Sequence, residues 1–242
     1  MKKILSHKFE DIICLDNLFL AWKEFVSGKR YKKDVLEFSR NLFDNILSLH
    51  NDLASGNYRH GDYESFFVND PKRRHIHKAS VRDRLLHHAV YRILYPFFDR
   101  KFIADSFSCR LDKGTHKAIN RFRVMAYQVS KNHTRTCWVL KCDIKKFFAS
   151  IDHKILIGIL KEHIEDEKIV GLLENIIGSF ETEQRAWIPA FAGMTEGTEI
   201  ATLASTPPPH SAEASRDKRN DSGVGLPLGN LTSQLFANVS KN

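Results

Sequence analysis

Residues 138–153 read WVLKCDIKKFFASIDH. A short apolar run of the β type leads to one aspartate, Asp143, and then changes to the pattern of an amphipathic segment. A carboxylate at the end of a buried strand is costly unless a positive group meets it, and a divalent metal ion is one such group. Asp143 is therefore a candidate metal ligand, although an aspartate at this place also caps the turn or helix that follows. Phe148 would reach back toward the same site if the chain turns after Lys145 and Lys146, and its ring could then lie under a sugar.

The 242-residue chain is basic and otherwise has an ordinary globular composition. Charged residues make up 27%, apolar residues 42%, and the formal net charge is +8. This charge favours a polyanionic partner, with nucleic acid ahead of a membrane surface because no lipid-facing amphipathic stretch accompanies it. The alternative is a merely solvated basic surface. We expect a cytoplasmic protein, since polar residues interrupt the N-terminal apolar residues and no run approaches the roughly 20 apolar residues of a membrane span.

Neither the cysteines nor the histidines predict a zinc site. The cysteines form no CxxC pair and suggest no disulfide framework, so we interpret them as reduced thiols. Clustered histidines without a matched partner are more often surface or hydrogen-bonding groups. The residues concerned are Cys14, Cys109, Cys137, Cys142, His75, His77, His87 and His88.

The N-terminal segment predicts packing helices. Apolar residues recur at helical spacing between Phe9 and Phe25, and again from Asp34 onward. Asp34 is the expected N-cap of the second helix, and Gly56 marks its expected end. Farther along, one or two helices are expected within residues 154–177, with a solvated acidic corner at Glu165, Asp166 and Glu167.

A basic block follows the alternating residues Tyr63 to Val68, which predict a strand. The block, KRRHIHKASVRDR at residues 72–84, suits a β-hairpin arm that presents positive charge. Planar arginine side chains pair with phosphate oxygens, so a triphosphate or a nucleic-acid backbone is the expected ligand. For Asp83 the alternative is an ion pair with Arg82 or Arg84, of little value if it is exposed.

The composition changes again toward the C-terminus. Residues 185–222 are rich in Thr, Ala, Ser, Pro and Gly, which predicts a long disordered loop. Part of this loop, RAWIPAFAGMT, resembles the translation of a dispersed bacterial repetitive DNA element, which suggests an insertion. The following GVGLPLGNLTSQLFANV combines a glycine-rich turn with a helix from Leu231, an arrangement that could hold a phosphate or a base pair.

Four blocks in order resemble bacterial reverse transcriptases of the group II intron and retroelement type. The blocks are DPKRRHI with RDRLLHHA, then SFSCRLDKGTHKA, then DIKKFFASIDH, and finally LPLGNLTSQLFAN. The last block departs from the commoner QGxxxSP, because Leu228 replaces Gln and Gln234 replaces Pro. This variant looks like the reverse transcriptases of diversity-generating retroelements, which makes them the expected subclass.

The resemblance implies an RNA-directed DNA polymerase with an RNA template, a DNA primer, dNTP substrates and Mg2+, and leaves room for an accessory protein of the retroelement. It implies metal binding at Asp143 and Ile144, with catalysis at Asp143. The implied nucleotide or template contacts are Lys72, Arg74, Arg82, Arg84, Arg110, Phe148, Gly229, Ser233 and Gln234. For Arg110, a structural arginine that satisfies carbonyl groups remains the alternative.

The expected fold is α+β and helix-rich, with right-hand polymerase fingers and an incomplete palm. We expect an N-terminal helical extension at residues 1–60, fingers at 61–136, the first part of the palm at 137–184, the insertion at 185–222 and a palm helix at 223–242. The family's Y-x-D-D hairpin is absent from this sequence, so we expect no polymerase activity from this chain alone. The runner-up is a non-catalytic RNA- or DNA-binding remnant of a retroelement.

Overall fold

The computed structural model describes residues 3–69, 73–144, 146–180 and 223–240. Within them the chain is helix-rich, with one two-stranded sheet. Among the described residues, no helix is both long and apolar enough to cross a membrane. The elements are α1 (Phe9–Ile13), α2 (Leu15–Phe25), α3 (Lys33–Arg40), α4 (Leu42–Ala54), β1 (Glu64–Val68), β2 (Arg74–Lys78), α5 (Val81–Asp99), α6 (Thr115–Val129), α7 (His153–Lys161), α8 (Glu167–Gly178) and α9 (Leu231–Val239).

Helix α5 is the centre of the core. It packs against α2 on one side and α9 on another, and its apolar stripe, including Leu85, Leu86 and Leu94, is fully buried. Buried Asn17 joins these layers: its Nδ2 donates to the carbonyls of Ile12 and Ala89 at 2.8 and 3.2 Å. The N-terminal helices are therefore part of the same core as α5.

The N-terminal helices differ from the expected pattern at one joint. The single helix expected from Asp34 is two helices, because the backbone at Asn41 leaves the helical region, with φ −120° and ψ 42°. Asp34 is not the cap, since α3 begins at Lys33, and its carboxylate instead reaches Lys78 and Arg84. Gly56 follows the end of α4 with φ +72°, a left-handed conformation that glycine adopts without strain.

Asp166 has a structural role that the acidic pattern did not indicate. The expected solvated corner contains it as the N-cap of α8, where its side chain accepts from the backbone of Lys168 and Ile169. The same carboxylate accepts from the backbone N–H of Phe9 at 2.9 Å. Asp166 thus satisfies the first turn of α8 and fastens α1 to it.

The buried strand expected at residues 138–143 is not present. The segment is assigned to no strand, and Trp138 and Leu140 are 92% and 88% exposed. A strand requires a neighbour for its backbone groups, and the sheet within the described residues consists of β1 and β2 alone. Nearby, an isolated bridge joins Asp152 to Val224. The strand pairing that would bury this segment is missing from the described part.

Candidate nucleic-acid interface

The β1–β2 hairpin presents aromatic and basic groups to solvent. Phe67 lies opposite His75, and their rings stack with centroids 4.4 Å apart. The Arg73 guanidinium lies 4.1 Å from the centroid of the Phe67 ring, and Arg74 is exposed on β2. This hairpin, confirmed where the alternating sequence predicted it, can offer cations to phosphates and an aromatic face to a base. Lys72, which the sequence assigns to the same role, lies outside the described residues.

A glycine joins the hairpin to the start of α9. The backbone N–H of His77 donates to the carbonyl of Leu228 at 2.9 Å, and Asn230 Nδ2 donates to the carbonyl of His77 at 2.9 Å. Between them Gly229 has φ +108°, and a Cβ there would lie 2.8 Å from Ile76 Cγ2. Any other residue would suffer both an unfavourable backbone conformation and this contact, so the close approach of loop and strand requires glycine.

A pocket of about 260 Å³ lies where α2, α5 and α9 meet. We call it the cationic pocket, because none of the described residues that line it is acidic while two are cations. Three of its residues, Arg84, Gly229 and Gln234, were singled out from distant parts of the sequence. The lining residues are Phe25, Lys29, Arg84, His87, His88, Gly229, Asn230, Leu231 and Gln234.

The two cations of the pocket flank one ring. Lys29 Nζ lies 4.9 Å and the Arg84 guanidinium 5.1 Å from the centroid of the Phe25 ring. Lys29 Nζ donates to the carbonyl of Phe25 at 3.0 Å, whereas Arg84 pairs with Asp34 at 2.6 Å. Burial, and then the nearby Arg84, lower the pKa of Lys29 below its usual value. An anion bound between the two cations would therefore relieve a like-charge repulsion.

The two histidines of the pocket are neutral at physiological pH. Burial, followed by the neighbouring His60, lowers the pKa of His87 to about 3. Burial, followed by Lys29 and Arg84, lowers the pKa of His88 to about 4. The pocket's positive charge therefore comes from Lys29 and Arg84, and the imidazole rings act as uncharged hydrogen-bonding groups.

Arg82, Asp83 and Arg84 lie in the first turn of α5 and have different roles. Asp83 is 2% exposed and accepts from Ser80 Oγ at 2.6 Å, Tyr58 Oη at 2.8 Å and the Gly61 N–H at 3.2 Å. It is a buried hydrogen-bond acceptor, so the ion pair with Arg82 or Arg84, which was the alternative, is not formed.

The arginines on either side of Asp83 pair with other acids. Arg82 pairs with Asp52 at 2.5 Å and lies over the Tyr58 ring, and it does not line the pocket. Arg84 does line it, on the side of Lys29. The structure thus brings one of the two predicted arginine contacts to the pocket.

Arg110 is held by its own neighbourhood. Its Nε donates to the Asp99 carboxylate at 2.7 Å, and its terminal nitrogens donate to the carbonyls of Asp99, Ile103 and Ser106. The hydrogen bond from Arg110 lowers the pKa of Asp99. This geometry is that of the structural alternative, and a contact between Arg110 and nucleic acid stays a prediction.

The residues of the expected catalytic segment lie apart from the pocket. Asp143 and Ile144 are exposed, and Phe148 is half-buried in a 3₁₀ helix at Phe147–Ser150, where its carbonyl accepts from the N–H of Leu226 at 2.7 Å. Ser233, a predicted contact, is 3% exposed within α9 and does not line the pocket.

A site for Mg2+ can be assessed from the donors present. Magnesium takes one or two carboxylates and fills its remaining positions with water and substrate phosphates. The described residues contain no group of three or more His, Cys, Asp or Glu side chains that could hold an ion. Asp143 with the Ile144 carbonyl therefore falls short of the paired carboxylates that two ions require, and metal binding at these residues stays a prediction.

Sequence reasoning missed several residues of the pocket, among them Lys29, His87 and Asn230. Lys29 follows α2 in a short cluster of cations with Arg30, Lys32 and Lys33, and it carries no motif. His87 belongs to a cluster of histidines that predicts no zinc site. Asn230 lies within the LGNLTSQ motif, but the motif predicts no contact for it. His87 and Asn230 share the burial of a polar group, which a single sequence does not display.

Fold and surface together define a helix-rich α+β protein with a basic hairpin and a cationic pocket suited to a polyanion. A family model described as "Reverse transcriptase (RNA-dependent DNA polymerase)" matches residues 69–206. Since the match includes more than half of the chain, this protein belongs to the reverse transcriptase family. The match ends before the LGNLTSQ motif at residues 228–234, which leads into α9.

Curated relatives indicate the retroelement type. Nuclear intron maturase 1, mitochondrial, of Arabidopsis thaliana is 25% identical over 155 residues, which are 56% of this chain and 21% of the relative. Group II intron-encoded protein LtrA of Lactococcus lactis subsp. cremoris is 21% identical over 207 residues, 83% of this chain and 33% of the relative. The chain thus spans a third or less of the length of these two relatives.

A solved structure supports the fold. A chain of the "Partial Cas6-RT-Cas1--Cas2 complex" matches with a TM-score of 0.54 and 19% identity. The match covers 97% of this chain and 34% of that chain. At this identity the likeness concerns the fold alone.

Proposed function

We propose that this chain is the template- and primer-holding part of an RNA-directed DNA polymerase of a bacterial retroelement. In this proposal β1 and β2 belong to the fingers, α7 and α9 to the palm, and an RNA template and a DNA primer lie along the hairpin and the cationic pocket. Family membership supports the class of ligand, and the +8 charge supports a polyanion.

The observation that carries the proposal is the convergence at the pocket. Arg84 at the start of α5 and Gln234 in α9 come from two separate sequence blocks, and both line one cavity beside β2. The hydrogen bonds between His77 and the Leu228–Asn230 loop fix the hairpin next to that cavity. A nucleic-acid strand that contacts Arg74 on the hairpin could therefore continue to Arg84.

Binding to a labelled RNA–DNA hybrid tests this proposal. We expect Arg74→Ala and Arg84→Ala each to weaken binding and to reduce the slope of log Kd against log salt by about one, the value for one lost phosphate contact. Arg121→Ala is the matched control, because Arg121 is also paired with an aspartate, Asp105, but lies on α6. Equal affinities and salt slopes for all four proteins would refute the proposed interface.

Nucleotidyl transfer is the reaction that the proposal assigns to the intact family member, with dNTP as substrate and Mg2+ as the ion that supplies charge neutralisation at the transferred phosphate. Asp143 and the Ile144 carbonyl would hold the ion, Phe148 would contact the sugar, and Lys72 would contact phosphate. We expect the 242-residue chain alone to incorporate no labelled nucleotide above an Asp143→Ala control, since the sequence contains no adjacent pair of aspartates. Incorporation above that control would contradict this expectation.

Two finer assignments belong to the proposal. The LGNLTSQ form of the last motif favours a diversity-generating retroelement, in which base selectivity is lowered. An accessory protein is supported by the structural neighbour, whose reverse transcriptase is part of a complex. The runner-up, a non-catalytic remnant, has no comparison in its favour.

A further inference from the structure

Two buried polar atoms of the cationic pocket lack partners. Within the described residues, neither Asn230 Oδ1 nor His87 Nδ1 has a hydrogen-bond partner, although the two residues are only 2% and 1% exposed. Leaving a buried polar group unpaired costs roughly 1–3 kcal/mol, so a native structure rarely leaves two in one place without a ligand or an ordered water.

Both atoms are hydrogen-bond acceptors. Asn230 donates through Nδ2 to the carbonyl of His77 at 2.9 Å, and a carbonyl can only accept, so the remaining atom of this amide is its oxygen. His60 Nδ1 lies 2.7 Å from the carbonyl of Gly61 and must carry its proton there. With that proton on Nδ1, the other nitrogen of His60, Nε2, is an acceptor, and His87 Nε2 lies 3.1 Å from it.

His87 must therefore donate through Nε2. Neutral imidazole has one donor and one acceptor, which leaves His87 Nδ1 as the acceptor. Because burial lowers the pKa of His87 to about 3, this ring has no second proton at neutral pH. Burial and the His60 partner together fix the donor of the His87 ring at Nε2 and its acceptor at Nδ1.

The two cations of the pocket have the opposite hydrogen-bonding character, because they donate. Lys29 and Arg84 offer N–H donors and positive charge, and α9 begins at Leu231 with its N-terminal end, the positive end of the helix dipole, among the lining residues. A ligand that fits both regions carries an anionic group together with an uncharged O–H or N–H donor. The volume of about 260 Å³ is below the range of about 300–1,000 Å³ usual for drug-sized ligands, which suits a sugar-phosphate unit without its base.

We infer that the cationic pocket binds a ribonucleotide unit of an RNA strand, with its phosphate at Lys29 and Arg84, its 2′-hydroxyl donating to His87 Nδ1, and Asn230 Oδ1 as the second acceptor. A water molecule bound to the same hydroxyl oxygen can donate to the second acceptor, since this hydroxyl both donates and accepts. The inference rests on the proposed function and adds to it a means of distinguishing RNA from DNA.

Three short oligouridylates that differ at one position test the inference. They carry a 2′-hydroxyl, a 2′-O-methyl group or a 2′-hydrogen, and their uracil bases are identical. We expect the hydroxyl form to bind roughly two- to tenfold more tightly than the other two, the change given by one net hydrogen bond. The 2′-O-methyl form decides the case, because it lacks the donor while keeping an RNA-like sugar.

Variants of His87 locate the effect. His87→Leu removes the acceptor and should abolish the preference for the hydroxyl form, whereas His87→Gln retains an acceptor and should keep it. His50→Leu is the control: it removes a partly buried histidine outside the pocket, whose Nδ1 lies 2.9 Å from the Ile13 carbonyl, and should leave the preference intact. The oligonucleotide series on the unmodified chain decides the question even if His87→Leu does not fold.

The outcomes separate the inference from the proposed function. Equal affinity of the unmodified chain for all three oligonucleotides would overturn the inference and leave water as the occupant of the two acceptors, with the proposed function intact. A preference that His87→Leu and His87→Gln both retain would overturn the assignment to this pocket. Failure of every oligonucleotide to bind would overturn the proposed function and the inference together.

Discussion

Substitution of Gly229 by alanine should destabilise the protein and loosen the link between the hairpin and α9. At φ +108° an L-residue is strained by roughly 1–3 kcal/mol, the usual cost of a sparsely populated conformation. The added Cβ would also lie 2.8 Å from Ile76 Cγ2. Because Ile76 is half-buried it can move, at a cost of about 0.5–1.5 kcal/mol for an off-rotamer side chain. The free energy of unfolding should fall by about 2–4 kcal/mol in total, the sum of these two costs.

Thermal unfolding followed by circular dichroism measures this effect. For a chain of this length we expect Tm to fall by roughly 5–15 °C in Gly229→Ala, since 1 kcal/mol corresponds to about 2–4 °C. Gly171→Ala is the matched control: Gly171 lies within α8, its added Cβ would meet nothing within 4 Å, and alanine there should stabilise by about 0.5–1 kcal/mol.

The two costs can be separated with a second substitution at Ile76. Ile76→Leu removes the Cγ2 methyl. In combination with Gly229→Ala it should therefore restore the part of the free energy of unfolding that is lost to the contact, but not the part that is lost to the backbone conformation. A Gly229→Ala protein that unfolds at the temperature of the unmodified chain would refute the argument that this loop requires glycine.

Two further predictions concern buried polar groups. Asp83→Ala leaves three donors without their acceptor and should lower the free energy of unfolding, measured by urea titration, by about 3 kcal/mol. The control, Asp62→Ala at an exposed aspartate, should change it by less than about 0.5 kcal/mol. Similar values for both variants would contradict the role of Asp83. Because the pKa of His87 is lowered to about 3, the unfolded chain binds a proton below its ordinary pKa of about 6.5 that the folded chain does not, so stability should fall with decreasing pH by up to about 1.4 kcal/mol per unit between those values. His87→Gln should reduce the slope of the free energy of unfolding against pH by the contribution of one proton. An unchanged slope would show that His87 does not remain neutral in the folded chain.

Much of the local structure could be predicted because it depends on neighbouring residues. Alternation between Tyr63 and Val68 predicts β1, and the helix expected from Leu231 is α9, which begins at that residue. The glycine at 229 was identified by type, since a glycine-rich turn before a helix has few substitutes.

What could not be predicted depends on long-range partners. The segment around Trp138 has β character, but whether it is buried depends on a second strand that no local pattern specifies. Arg110 and Arg84 are alike in sequence, yet one is surrounded by carbonyls and the other borders a pocket. The acceptor character of His87 follows from His60, which is 27 residues away in sequence and has no motif in common with it.

Cross-linking tests most directly the central claim that the hairpin and the cationic pocket hold nucleic acid. An RNA strand that carries a photoreactive uridine, annealed to a DNA primer, would be irradiated with the chain, and the linked peptides would be identified by mass spectrometry. Our account predicts cross-links within residues 73–78, 84–88 and 229–234, and their loss when unlabelled hybrid competes. Cross-links confined to α3, α4 or α8, on the other helices of the core, would contradict it.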